Sequence, residues 1–256
     1  MWSSEILKSN AKTAIRGKTY WTAFLLMAVF TLVPTVLEKI TGYEKINDAL
    51  IEAVVYGLPM PDLGQALGYN FAFILFSLLV LTPILVGLCG FFVRNHFNTG
   101  KPSDLFLVFR GGYGNVVLVS FVTNLLISLW SLLLLVPGMI KGIQYSMVPF
   151  LLSDNPGLSG RRAREISRKM TEGQKSEIFV LMLTFIGWFI LPIVIAVFIS
   201  FIAIATLGLD IISQVIVEVG TAMVMVYFHA TFAELYIFLR DRAIQTGMVQ
   251  PEELCL

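Results

Sequence analysis

From Ile178 to Ala205 the chain runs 28 residues without a charged side chain. A helix crosses roughly 30 Å of hydrocarbon with about 20 apolar residues, so a run of this kind is read first as a membrane span. Three further runs meet the same requirement: Tyr20–Leu37, Phe71–Val93, and Ile211–Leu239, which is apolar apart from Glu218, His229 and Glu234. Val116–Ser153 is 38 residues long with Lys141 as its one charge, too long for a single crossing. Pro137-Gly138 sits near its centre, where proline ends a helix and glycine permits a turn. The expectation is two helices, Val116–Val136 and Gly138–Leu152, the second short enough to be either a thin full span or a re-entrant arm. Only 14% of residues are charged and mean hydropathy is +0.81, which sets the chain apart from soluble domains, where about a quarter are charged.

Orientation follows from where lysine and arginine collect, because basic residues flanking a span stay on the cytoplasmic side. With the N-terminus inside and six crossings, 15 basic residues are cytoplasmic, 2 are outside, and Lys141 lies within the membrane. Treating Val116–Ser153 as one crossing would send six basic residues of the following segment outside. The favoured reading therefore has both termini in the cytoplasm. The first apolar run lacks a small-x-small cleavage site, so it is expected to remain as a helix and not to be removed as a signal peptide.

Each outward span is approached by a short amphipathic stretch and a glycine: Glu5–Arg16 with Gly17, Asp104–Arg110 with Gly111, and Gly160–Glu172 with Gly173. These features suggest an all-α fold of six transmembrane helices, arranged as three hairpins with cytoplasmic interfacial helices. The whole chain, 1–256, reads as one membrane domain. It comprises an amphipathic helix at 1–18, an extracellular loop at 38–70, a basic cytoplasmic helix at 154–177 and a cytoplasmic tail at 240–256. In the basic helix, Arg161 with Glu165, Glu165 with Lys169 and Arg168 with Glu172 are spaced for i,i+4 pairs. Arg161, Arg162, Arg164, Arg168 and Lys169 are candidates to hold anionic lipid headgroups; the alternative is that they serve topology alone.

Several motifs stand in order. They include Ser103-Asp104-Leu105-Phe106, Asn115-Val116-Val117, Leu129-Trp130-Ser131 continuing to Pro137-Gly138-Met139-Ile140-Lys141, and Tyr145-Ser146-Met147-Val148-Pro149-Phe150. Ser167-Arg168-Lys169-Met170, Phe185-Ile186-Gly187-Trp188 and Ala233-Glu234-Leu235-Tyr236 follow. The series resembles a bacterial family of multi-pass membrane proteins known as domain of unknown function 975, from about Leu81 to Leu239, with a looser likeness at Ser3–Gly17. The resemblance implies a bacterial cytoplasmic-membrane protein and carries no reaction with it. The chain departs from the family's pattern at Tyr227-Phe228, where a Pro-Tyr pair is usual, and in the acidic segment 38–70.

Catalytic chemistry is sparse. There are two histidines, His96 and His229, and no His-Glu-x-x-His, no Gly-x-Ser-x-Gly and no phosphate loop. No cluster of metal ligands is evident, and the formal net charge of +1 argues against nucleic acid as a partner. The expectation is a non-enzymatic protein, without a cofactor, that binds lipid or a protein partner, in envelope maintenance or as an accessory to an export system. Its partners would be the bilayer, anionic headgroups, and a membrane-protein partner or a second copy of the chain. The alternative is a transporter or small channel for a peptide, lipid or small solute, with a membrane-embedded enzyme behind both. Ionisable residues at membrane depth are functional candidates by default. These are Lys141, Glu218, His229 and Glu234. Lys141 and Glu218 fall at a similar depth, so they either pair or snorkel separately to the interface. His229 and Glu234 are read as a polar site or proton relay against interhelical bonding; the four together would line any transport path. Single cysteines at Asn47 and Gly138 should label from outside intact cells and those at Ser103 and Gly160 should not; outside labelling at Gly160 would overturn six crossings.

Overall fold

The computed structural model describes residues 2–203 and 210–256, and among these every regular element is helical. The helices are α1 (Ser4–Ala14), α2 (Lys18–Thr41), α3 (Tyr43–Tyr56), α4 (Leu63–Phe76), α5 (Thr82–His96), α6 (Leu107–Arg110), α7 (Tyr113–Leu133), α8 (Leu135–Tyr145), α9 (Val148–Asp154), α10 (Gly160–Met170), α11 (Lys175–Ala203) and α12 (Asp210–Gln245). Six helical segments are long and apolar enough to cross a membrane: Lys18–Thr41, Leu63–His96, Tyr113–Leu133, Leu135–Asp154, Lys175–Ile199 and Ser213–Gln245. The 36 residues of α12 reach about 54 Å, well beyond the ~30 Å of hydrocarbon, so one end stands clear of it.

The second of these segments begins earlier than Phe71, and most of 38–70 is helix. Asp62 caps α4 by accepting from the amides of Gly64 (2.9 Å) and Gln65 (3.3 Å). Asn70 does not end the helix because its side chain is satisfied within it. Its amide donates to the Ala66 carbonyl at 2.9 Å, and its oxygen accepts from the Tyr43 hydroxyl at 2.8 Å. α4 runs through one π turn, Ser77–Leu81, into α5. Pro83 lies just beyond that turn and has no amide hydrogen to give to the preceding turn. The Leu79 carbonyl instead accepts from the Tyr113 hydroxyl at 2.7 Å, while the Thr82 hydroxyl donates to the Ser77 carbonyl at 3.0 Å.

The bend in the Val116–Ser153 region falls at Leu134, which is extended (φ −156°, ψ 139°), three residues before Pro137. Proline is tolerated in the first turn of a helix, where its missing amide hydrogen has no intrahelical acceptor, so Pro137 opens α8 and does not close α7. Gly138 is where the two arms touch: a Cβ there would stand 2.6 Å from the Ser131 Cα. A cysteine probe is therefore better placed at exposed Leu134 than at Gly138, in a background lacking the exposed Cys255.

α7 packs on α8 and α11 on α12, whereas the chief partner of α2 is α12 and not the span that follows it. The core is concentrated at one end, which also carries most of the charge. There α5 is enclosed from Val86 to Val93 by α1, α9, α12 and the turn Pro102–Phe106. A helix apolar all round is either a lipid-facing span or a fully enclosed one. α5 is enclosed over this stretch, whereas Leu132–Val136 and Trp188 project outward, as a bilayer requires. Tyr113→Phe would leave the Leu79 carbonyl bare in an apolar setting and should cost about 1–3 kcal/mol. Thermal melting in nanodiscs reads this, and an unchanged melting temperature would mean that another donor reaches the carbonyl.

Candidate functional site

α10 is seated by the break between α8 and α9. Pro149, in the first turn of α9, interrupts the helical ladder. The hydroxyl of Ser167 on α10 repairs the gap by donating to the Gln144 carbonyl (2.7 Å) and accepting from the Met147 amide (3.3 Å). Ala163, Ile166 and Met170 are buried on the same side. This turns Arg161, Arg164 and Arg168, spaced i, i+3, i+7, onto another face. Together with Tyr145 and Glu165 they line a cavity of about 430 Å³.

The five basic candidates divide by partner. Arg162 is committed to the C-terminal tail: its Nη2 donates to Glu253 Oε2 at 2.9 Å and to the Met248 carbonyl at 3.1 Å. Lys169 pairs with Glu165 at 2.8 Å, and that ammonium holds the carboxyl below its ordinary range. Glu165 takes its second partner from Arg162 at 3.4 Å, not from Arg161. α10 ends at Met170, so Glu172 lies beyond the helix, and no ion pair joins it to Arg168 among the described residues. Arg164 Nη1 rests 3.5 Å from the Thr123 hydroxyl. Three guanidinium groups thus face a cavity whose single carboxylate is already matched, the donor set that binds phosphate oxygens in planar forks.

The intramembrane candidates go to separate partners. Lys141 does not pair with Glu218. Its Nζ lies 5.3 Å from the centre of the Trp130 ring and 5.8 Å from that of Tyr145, while Glu218 accepts from the Thr35 hydroxyl at 2.9 Å. Glu234 turns to His96, whose Nδ1 is 2.8 and 3.0 Å from its two oxygens. His229 stacks on Phe92 at 6.0 Å and meets Phe228 edge-on at 5.6 Å. The supposed relay is therefore divided, because His229 is held among aromatic rings and Glu234 points to another helix. Among the described residues there is no group of three or more His, Cys, Asp or Glu that could hold a metal ion.

The sequence reading missed a buried charge cluster. Asp154 accepts from the Tyr236 hydroxyl at 2.6 Å and from Arg240 Nη1 at 3.2 Å, and Arg240 also reaches Asp241 at 3.3 Å. Tyr236 is fully buried, stacks on Phe150 at 5.3 Å, and lies under the Arg240 guanidinium. Its one sequence signal is the i,i+4 spacing of Tyr236 and Arg240, which places both on one face of α12.

The family described as Protein of unknown function (DUF975) matches residues 64–243. The chain belongs to that family. The matched range spans the Arg161–Arg168 cavity, the Asp154–Arg240 pair and His96–Glu234, and it leaves α1, α2 and α3 outside. No curated protein and no solved structure matches the chain.

Asp154→Asn should leave the buried Arg240 guanidinium with exposed Asp241 as its remaining acid and cost about 1–3 kcal/mol, while Asp154→Asn with Arg240→Gln should recover much of that loss. A thermal-melt double-mutant cycle measures the coupling. The same cycle on Lys141→Met and Glu218→Gln should fall below about 0.5 kcal/mol, and the reverse ranking would contradict this arrangement.

Proposed function

We propose that this DUF975 protein is a non-enzymatic protein of the bacterial cytoplasmic membrane that binds anionic lipid headgroups of the inner leaflet. Both termini lie in the cytoplasm in this reading. By holding such lipid it supports a membrane-protein partner, in envelope maintenance or as an accessory to export. The observation that carries the reading is the cavity lined by Arg161, Arg164 and Arg168. Lysine and arginine near an anionic surface contribute about 1 kcal/mol each. Three guanidinium groups with one matched carboxylate suit a phosphodiester better than any neutral headgroup. A transporter needs a continuous polar path, and the separate partners of Lys141, Glu218, His229 and Glu234 favour binding over transport.

The test is lipid retention by the full chain, purified from mixed phosphatidylglycerol and phosphatidylcholine vesicles. Wild type should retain phosphatidylglycerol preferentially, with the preference falling as salt rises and the Debye length shrinks. Arg161→Gln, Arg164→Gln and Arg168→Gln together should reduce retention by more than about tenfold. Equal retention of the two lipids by wild type, or no change in the triple variant, would refute headgroup capture at this cavity.

A further inference from the structure

A second cationic feature lies on α1, away from the arginine cavity. α1 docks through Leu7, Ala11 and Ile15, all buried, and packs against α12. That docking carries Lys8 and Lys12 to the junction of α11 and α12. Lys8 Nζ donates to the Thr184 hydroxyl at 2.7 Å and lies 4.9 Å from the centre of the Phe185 ring. Lys12 Nζ lies 5.8 Å from the centre of the Tyr227 ring, and the Tyr227 hydroxyl donates to the Lys8 carbonyl at 3.3 Å. The ion pairs found among the described residues include neither lysine, and Glu5, the acidic residue of α1, pairs with neither. Burial first, and then the charge of Lys12 beside it, push the Lys8 ammonium below its ordinary pKa. Two like charges thus share one neighbourhood with no acid between them.

From this point a groove of about 490 Å³ runs between α11 and α12. Its walls include Phe185, Trp188, Leu191, Ile195, Met223 and Tyr227, and among the described residues Lys12 is the one charged residue that lines it. A second hollow shares Lys12, Met223 and Tyr227 and continues to Trp21 at the start of α2. From Phe185 to Ile195 the groove follows ten residues of helix, about 15 Å, away from the lysines. Any lipid-facing surface meets acyl chains. This one has a volume within the ~300–1,000 Å³ of ligand sites and differs in having Lys12 at one mouth, with Lys8 beside it against Phe185.

We propose that the groove between α11 and α12 is a binding site for one acyl chain of an anionic phospholipid, with the phosphate held by Lys8 and Lys12. The polarity of the groove matches that of the ligand. Cations stand at the end where α1 lies, and apolar walls continue toward the middle of the bilayer. The phosphate supplies the counter-charge that the protein lacks here. The site stands on residues separate from the arginine cavity and survives if that cavity binds nothing.

Trp188 makes the site readable. In a variant keeping Trp188 alone (Trp2→Phe, Trp21→Phe, Trp130→Phe), the full chain is reconstituted with lipids brominated in the acyl chain, which quench nearby indole. Phosphatidylglycerol should displace phosphatidylcholine at Trp188 with a preference of about fivefold for each lysine. Lys8→Gln with Lys12→Gln should abolish the preference, and the three arginine substitutions at 161, 164 and 168 should leave it intact. Lys12 is exposed, so Lys12→Glu tests the charge without threatening the core, and by cancelling the charge of Lys8 it should remove the preference. Equal quenching by both lipids, or a preference that survives the lysine substitutions, would overturn the proposal. A preference lost only in the arginine variant would also overturn it, and would support headgroup capture at α10 instead.

Discussion

Hydrocarbon offers no hydrogen bonds, so each backbone or charged group that the helices of this chain leave unpaired there has to be matched by another part of the chain. Two breaks in the regular helical ladder, each beside a proline, leave such groups. Pro83 lies beyond the π turn between α4 and α5, and the hydroxyl of Tyr113 at the start of α7 reaches the freed Leu79 carbonyl. Pro149 parts α8 from α9, and Ser167 on α10 closes the gap from both sides. In each case the repair comes from a helix distant in sequence. The places where the ladder fails are therefore the places where the helices are locked together.

Burial in the protein interior imposes a similar constraint on charge. Asp154, Tyr236 and Arg240 form a buried cluster that ties the end of α9 to α12, and His96 with Glu234 ties α5 to the same helix. Removing one member of such a pair takes from a buried ion its principal partner, which is costly even where the intact pair adds little. α12 is thus the common post. α1, α2, α5 and α11 pack on it, and its length carries it past the hydrocarbon into the end where these charges cluster.

Two groups of cations have no ion pair among the described residues and lie beside hollows. Arg162 holds the tail and Lys169 holds Glu165, which leaves Arg161, Arg164 and Arg168 facing a cavity. Lys12 lines an apolar groove and Lys8 lies beside it against Phe185, with no acidic partner for either among the described residues. Both arrangements present positive charge next to surface that suits a lipid. This is the physical basis for reading the protein as one that holds anionic amphiphiles.

The spans were legible because hydrocarbon thickness sets a minimum apolar length, and four of the runs needed nothing but counting. Helical period gave five basic candidates on α10 and pairs for Arg161 and Arg168, with Glu165 and Glu172, that the structure replaces. Which of the five basic residues stay free was not legible, because Arg162 is claimed by Glu253, 91 residues away. Segment 38–70 was misread because Asn70 resembles a polar stop, and only the approach of Tyr43 shows that its side chain is satisfied within a continuing helix. The supposed Lys141–Glu218 pair failed for a general reason. Sequence gives the depth of a residue along its helix, but two residues at one depth meet only if both helices turn them toward each other, and packing decides that rotation. Composition and periodicity by themselves determined the number of apolar helices and the clustering of basic charge. Tertiary structure decided the partner of each charge, since pairing depends on the distance and direction between helices far apart in the chain.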